Sequence, residues 1–584
     1  MNLTDDWSLW PDFAIRSTGF PIEGLDAFGP DEDARLVAVA RDPAFREAVA
    51  WQSRESLARA VDKLATGAAG SPSRRRRWTD VVGSYWQRYC TKNDTIGFFG
   101  PLAWGSFAEE GEAIAVRSGA LQRERIVHLE TWAVEAIAAA GGVTTPLPMG
   151  PFPERTLRPL LADTSGLDRV ERAREALAAA EGEQVAAALD ELDRVFEAVT
   201  GRAAARGDAD SGGGRTVAYL DCMRDLELTL GPPVLDELRA SLPAVLYASR
   251  WWCGRVFDRG AALLGAIADS GPLAPKLGPL MGAGFGLWDQ MGDEQRELQR
   301  RWASVVAGEP AADVFGDWTP AWHGSAYHSA DLQIAAASTD AVARGDFLVV
   351  LGDFHGGDNP LAQGLFGLRH PDPAALLHRI ACEIGPGAHL SPPRHGAVPM
   401  TARSWPMYCE GESVVMSGDE PAPAGTRRVA LERLVVEGGR VADGNGFSAP
   451  LAQLLYLPIF VAALRTFDPV GEAAGRAQIG RLVVRRQHWS APADELPEDL
   501  AAWARERGLP RRVFARSPLE RKPRFVDFES PSLCRALKRF AREGMIEFEE
   551  MLPGPDECWL ESDAGHHTSE LRVVALGLLG RTHP

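Results

Sequence analysis

Between residues 31 and 66 apolar positions recur at near-helical intervals, with Leu36, Val39, Phe45, Val49 and Trp51 set among charged neighbours, and the spacing predicts a helical pair. The loop GAAGSPS then feeds Arg74, Arg75, Arg76 and Arg77 into a further helix, VVGSYWQRYCTK, before GFFGPLAWGSF turns to strand-like sequence. Residues 165 to 200 are Ala-rich and charged and predict two long helices, followed by the flexible loop ARGDADSGGG. FLVVLGDF and RLVVRRQHW, with consecutive β-branched residues between turns, predict buried strands. Helices and strands alternate irregularly, which predicts an α+β fold rather than one doubly wound sheet. Breaks near residue 145 and at 205–214 divide the chain into an N-terminal α+β lobe (1–145), a helical insert (146–210) and a C-terminal α+β lobe (211–584).

Composition narrows the function classes. With 45% apolar residues in 584, the chain buries a substantial core. A net charge of -18 disfavours a diffuse electrostatic grip on nucleic acid, so any RNA contact must be a local patch. Seven cysteines without a CxxC pair fit a reducing compartment, and the acidic MNLTDDW start and the lack of a long apolar run predict a cytoplasmic protein with no membrane span. His323 with His328, and His566 with His567, make no compact ligand set, and no P-loop or GxGxxG occurs, so neither a metal nor a bound cofactor is expected.

Several clusters carry possible chemistry. If residues 82–93 are helical, Arg88 and Lys92 share one face, forming a cationic patch before the turn at Gly97 and Gly100 that could hold an RNA 3′ phosphate or a developing oxyanion. Asp94 could orient Lys92 or accept a proton; the alternative is a surface ion pair. Arg74 to Arg77, with Trp78 attached, suit phosphate contact and base stacking, or form a solvated loop. Arg511, Arg512, Arg516, Arg521, Lys522 and Arg524 face only Glu520 as a local opposite charge and make a second basic candidate, with Arg485 and Arg486 a third. FLVVLG delivers Asp353, His355, Asp358 and Asn359 into a loop, where they serve as substrate-binding groups or as a loop-stabilising network. Asp221 could recognise an amino group or pair with Arg224, and Cys90 and Cys222 read better as packing than as nucleophiles.

The segment from Arg88 to Phe99 resembles the Arg-x-x-x-Arg-x-Thr-Pro-Phe-Gly-x-Phe signature of lantibiotic dehydratases, with Lys92 at the second Arg and Asp94 at the Thr. GRTVAYLDCMRD, VVLGDFHGGDNPLAQGLF, IGRLVVRRQHW, LPRRVFAR with KPRFVDF, and ECWLESDAGHHTSELR follow in family order, so the resemblance spans most of the chain. It implies the glutamylation region, an enzyme that takes an aminoacyl-tRNA as co-substrate and modifies Ser or Thr of a ribosomally made precursor peptide. Catalysis would rest on Arg88, Lys92 and Asp94, substrate binding on Asp221, Asp353, His355 and Asn359, and tRNA binding on the basic runs. The family's elimination region is not seen, so elimination would fall to a separate protein. The winged-helix element that binds leader peptide is replaced by GGVTTPLPMG, about ten residues and too short for such a module, so a separate leader-binding protein is a further expected partner. The resemblance also admits an ATP-dependent peptide aminoacyl-tRNA ligase, and the substituted motif admits a noncatalytic tRNA- or peptide-binding protein.

Overall fold

The computed structural model describes all residues except 93–96, 120–123, 146, 148–151, 206–215, 317–326, 357–360, 386, 392–405, 419–420, 457–462, 464–465, 472–474 and 579–584. Strands β1 (Trp7–Leu9) and β2 (Asp12–Ser17) open the chain. The stretch read as a helical pair is three helical segments instead: α1 (Glu32–Arg41), α2 (Pro43–Gln52) and a run over 54–65. The cause is local, because the Phe45 N–H donates to the Asp42 side chain at 2.9 Å behind Pro43, and the Ser56 N–H donates to Ser53 Oγ at 3.1 Å, so each cap restarts the helix. Helix α3 (Pro72–Thr91) takes the four arginines into its first two turns and ends at Thr91, leaving Lys92 extended as its C-cap. The helix reading over 82–93 is corrected there.

Next come β3 (Gly97–Phe107), β4 (Ile114–Ser118), β5 (Glu124–Leu129) and α4 (Thr131–Ala140). The two long helices expected at 165–200 are α5 (Ser165–Ala179) and α6 (Gln184–Thr200), which bury Leu167, Val170, Leu177, Val185, Leu189, Leu192 and Phe196 along one stripe each. After them run β6 (Ala218–Met223), β7 (Leu226–Leu230), the long α7 (Pro232–Ile267), β8 (Tyr327–Ala335) and β9 (Leu348–Gly356). The C-terminal part holds β10 (Ala477–Ile479), β11 (Leu482–Arg485), β12 (His488–Pro492), β13 (Arg512–Ser517), β14 (Glu520–Asp527), α8 (Pro531–Phe540), β15 (Met545–Glu550) and β16 (Ser569–Gly577). The strands read from FLVVLGDF and RLVVRRQHW are thus β9 and β11. No helix among the described residues is long and apolar enough to cross a membrane.

A 12-stranded mixed sheet organises the whole, in the order β10-β11-β9-β8-β16-β2-β3-β6-β5, with β1 on β16 and β7 joining β3 to β4. The first and last parts of the chain therefore share one sheet, β2 pairing antiparallel with β16. Because side chains alternate between faces, the two sides of this sheet differ in chemistry. One face is apolar: Phe13, Ile15, Leu332 and Val573 pack with Leu235, Leu238 and Trp252 of α7, while Val127 and Leu220 pack with Trp86, Tyr89 and Phe196. The other face carries Arg16, Asp331, His355, Glu570, Arg572 and Asp221, and segment 361–369 lies against it. The observed architecture is α+β, as the irregular alternation predicts. β12 to β15 form a separate four-stranded sheet in the order β12-β15-β13-β14 with its own core around Trp503, Phe528 and Phe548.

Candidate active site

On the polar face, register sets Arg16 opposite Glu570 and Asp331 opposite Arg572, and puts His355 opposite Ser329 on the same side. Arg16 Nε donates to Glu570 Oε1 at 2.6 Å, Arg572 Nη2 lies 3.2 Å from Asp331 Oδ2, and His355 Nε2 is 3.0 Å from the same oxygen. Arg16 Nη2 stands 3.6 Å from Asp331 Oδ2, so two arginines and two carboxylates form one crossed network. It is shielded from above by Phe366, whose ring lies 4.7 Å from the Arg572 guanidinium. Burial pushes the Asp331 carboxyl up, but Arg572, His355 and Arg16 outweigh it and hold it down at about 2. Glu570 goes the other way: burial, joined by the Asp331 charge, outweighs Arg16 and Arg572 and pushes it up to about 7. The network thus holds one firmly ionised carboxylate beside one that exchanges its proton near neutrality, a pairing suited to acid–base work. Asp331 Oδ1 has no hydrogen-bond partner among the described residues.

A second group lies further along the same face. His128 Nε2 is 3.4 Å from Asp221 Oδ2 and 2.7 Å from Arg369 Nη2. The His128 ring stacks on Tyr219 at 4.9 Å, and Arg369 also reaches Asp221 at 3.7 Å. Gly97 at the start of β3 is in register with Asp221, so the chain leaving α3 enters the sheet beside this carboxylate. Arg88 and Lys92 are both half-buried at that helix end, and the Lys92 N–H donates to Arg88 O at 3.0 Å. Asp94, Asp358 and Asn359 lie outside the described residues, as does the Arg521 side chain.

The other expected residues separate into free and spent charges. Asp221 does not pair with Arg224, which donates instead to Ser17 Oγ at 2.6 Å from the opposite face. Asp353 is exposed at the irregularity between Leu351 and Phe354, while His355 joins the crossed network. Arg485 sits 2.9 Å from His488, and Arg486 is tied to Gln333 at 2.6 Å and to Leu552 O at 2.8 Å. The reading that residues 511–524 face only Glu520 is corrected: Arg511 and Arg512 both bind the buried Asp527, at 2.8 and 3.2 Å, and reach Glu529 and Asp26 as well, while Arg524 binds Glu520. Arg516 and Lys522 are exposed. Arg74 to Arg77 are all exposed, but Trp78 is buried in the helical core, which removes it as a base-stacking platform. Cys90 and Cys222 are buried and burial raises both thiols, as packing residues require. Among the described residues no group of three or more His, Cys, Asp or Glu side chains is arranged to hold a metal.

Arg16, Asp331, Arg369, His128, Glu570 and Arg572 were not picked out from the sequence. The available signal was a charge at an inward position of an otherwise apolar strand, as in YHSADLQIA and SELRVVALG.

Residues 41–141 match the family model described as "Lantibiotic dehydratase, N terminus". No curated protein matches the chain in sequence. Among solved structures the chain is similar to MibB from Microbispora sp. 107891, described as a tRNA dependent lantibiotic dehydratase, at 17% identity and a TM-score of 0.62, covering 99% of this chain and 70% of MibB. It is also similar to the glutamylation domain TbtB from thiomuracin biosynthesis, at 16% identity and a TM-score of 0.59 over 97% of this chain and 100% of that one. The same domain bound to 5'-phosphodesmethylglutamycin aligns at 18% identity and a TM-score of 0.54, covering 94% of this chain and 85% of TbtB. Residues 41–141 thus match the lantibiotic dehydratase N-terminal model, within a chain whose fold is similar to that of the glutamylation domains.

Proposed function

We propose that this chain is an aminoacyl-tRNA-dependent acyltransferase that glutamylates Ser or Thr side chains of a ribosomally synthesised precursor peptide. The observation that carries the reading is the extent of the likeness, a shared fold over 97% of this chain and the whole of a glutamylation domain. The reaction balances without a bound cofactor. The peptide hydroxyl oxygen attacks the ester carbonyl carbon, the bond from that carbon to the tRNA ribose oxygen breaks, and the hydroxyl proton is passed to the departing ribose oxygen. Arg88 and Lys92 supply positive charge for the carbonyl oxygen as it becomes anionic, and Asp94 orients Lys92 or takes up the proton. Asp221, in register with Gly97 at the start of β3, is assigned the donor's amino group, and the Arg16–Asp331–Glu570–Arg572 network with His355 is assigned the polar face against which donor and peptide align.

The test is incubation of the purified chain with glutamyl-tRNA and a precursor peptide, read by mass spectrometry. The expected product gains one glutamyl residue per modified Ser or Thr without ATP, and Arg88→Ala removes the gain while the protein stays folded. An ATP-dependent adduct at the peptide C-terminus, or tRNA binding with no adduct, defeats the proposal.

A further inference from the structure

The first two turns of α3 are built against their own electrostatics. A helix N-terminus favours acids, yet this one holds no acid in its first turn and carries Arg74, Arg75, Arg76 and Arg77, all exposed. Among the described residues no carboxylate pairs with any of the four side chains. Asp80, one turn on from Arg76 and Arg77, does not relieve them, because α8 places both Arg535 and Arg539 on it, at 2.8 and 2.6 Å. Seven arginines and Lys538 are therefore set against one aspartate on two packed helices of a chain whose net charge is -18. By contrast Arg511, Arg512 and Arg524 of the neighbouring β13–β14 hairpin spend their charge on Asp527, Glu529, Asp26 and Glu520.

We infer that the α3–α8 ridge is the docking surface for the duplex backbone of an RNA, and that the hairpin is not. This rests on the tRNA-dependent reading and names the surface that carries it. Successive helical residues turn by about 100° and rise about 1.5 Å, so the four guanidinium groups fan around one helix end, which matches phosphates spaced along a backbone rather than one compact anion. Trp78, the aromatic residue of the run, is buried, so the ridge offers charge without a stacking platform, and a base-paired stem fits it better than a single strand.

The experiment measures binding of the full chain to labelled deacylated tRNA by fluorescence anisotropy from low to moderate salt. The variant R74Q/R75Q/R76Q/R77Q is expected to bind at least about tenfold more weakly near 0.1 M salt, with the log–log salt slope reduced by up to about 3.6, since each lost phosphate contact removes about 0.9. Arg524→Gln, which deletes a cation already paired, is expected to change the affinity less than about twofold. A thermal melt confirms that each variant is folded. If the wild type binds tRNA and the quadruple variant keeps its affinity and slope, the inference falls while the proposed function stands. An equal loss from Arg524→Gln, or a loss of binding to anionic vesicles without a loss for tRNA, also overturns it. If the wild type fails to bind tRNA at all, the inference and the functional reading fall together.

Discussion

Glu570 offers a direct test of the buried network. Its carboxyl is pushed from 4.5 up to about 7, chiefly by burial, whereas in the unfolded chain it returns to the ordinary value. Below about pH 4.5 both states hold the proton and the site contributes its full stability. Between 4.5 and 7 the unfolded chain releases a proton that the folded chain keeps, so stability falls as pH rises, by about 1.4 kcal/mol per pH unit. Across that window the loss amounts to about 3 kcal/mol, and above it there is no further change. Glu570→Gln keeps the shape and one acceptor for Arg16 but cannot ionise. Urea unfolding followed by tryptophan fluorescence, with wild type and variant measured in parallel from pH 4.5 to 8, isolates the site because other titrations cancel in the difference. The variant is expected to gain on the wild type by about 3 kcal/mol over the window. A difference that stays flat with pH would mean that the Arg16 contact keeps Glu570 ionised throughout, and the reasoning from burial would be refuted.

His567 should show the opposite pH dependence. It is buried between Ser562 Oγ at 2.9 Å and Thr18 O at 3.0 Å, and burial, with Arg224 nearby, pushes it down to about 3. The unfolded chain binds a proton below about 6.5 that the folded chain refuses, so stability is full above that pH and is lost as pH falls toward 3. In His567→Gln this loss disappears, and the variant should gain about 3 kcal/mol on the wild type between pH 6.5 and 4.5; parallel acid-unfolding curves would sink the idea. Glu47 is buried in α2, where it pairs with Arg125 of β5 and accepts the Gly182 N–H at 2.7 Å, clasping the strand to the α5–α6 connection. Glu47→Ala leaves a half-buried arginine uncompensated and should cost about 3–5 kcal/mol in urea unfolding, and Glu47→Gln, which keeps the shape but loses the charge, should cost nearly as much; a far smaller cost for Gln would show that packing, not the ion pair, holds the clasp.

What the sequence could disclose divides along the range of the forces involved. Helices α5 and α6 were legible because their signal is local: Leu167, Val170 and Leu177, then Val185, Leu189 and Leu192, recur within one element and are buried in the fold. The three-segment stretch at 31–66 was legible in period but not in its breaks, since the caps at Asp42 and Ser53 interrupt a stripe that continues across them. Pairing across the chain left no such trace. Arg16 meets Glu570 only because the second strand of the protein lies beside its last, and Arg512 loses its free charge to Asp26 from the opposite end of the sequence. A basic run therefore predicts an RNA surface only after its distant carboxylates are known, and here that knowledge divides two runs of similar composition, leaving 74–77 without a carboxylate among the described residues and spending Arg511, Arg512 and Arg524. The same logic explains the site. A charge on the inward side of an apolar strand costs several kcal/mol unless a partner arrives from elsewhere, so Asp331 and Arg572 each imply the other before any register is known. Buried charges of opposite sign in two apolar strands are best read as neighbours across a sheet, and that rule would have brought β8 beside β16 and placed the network on one face.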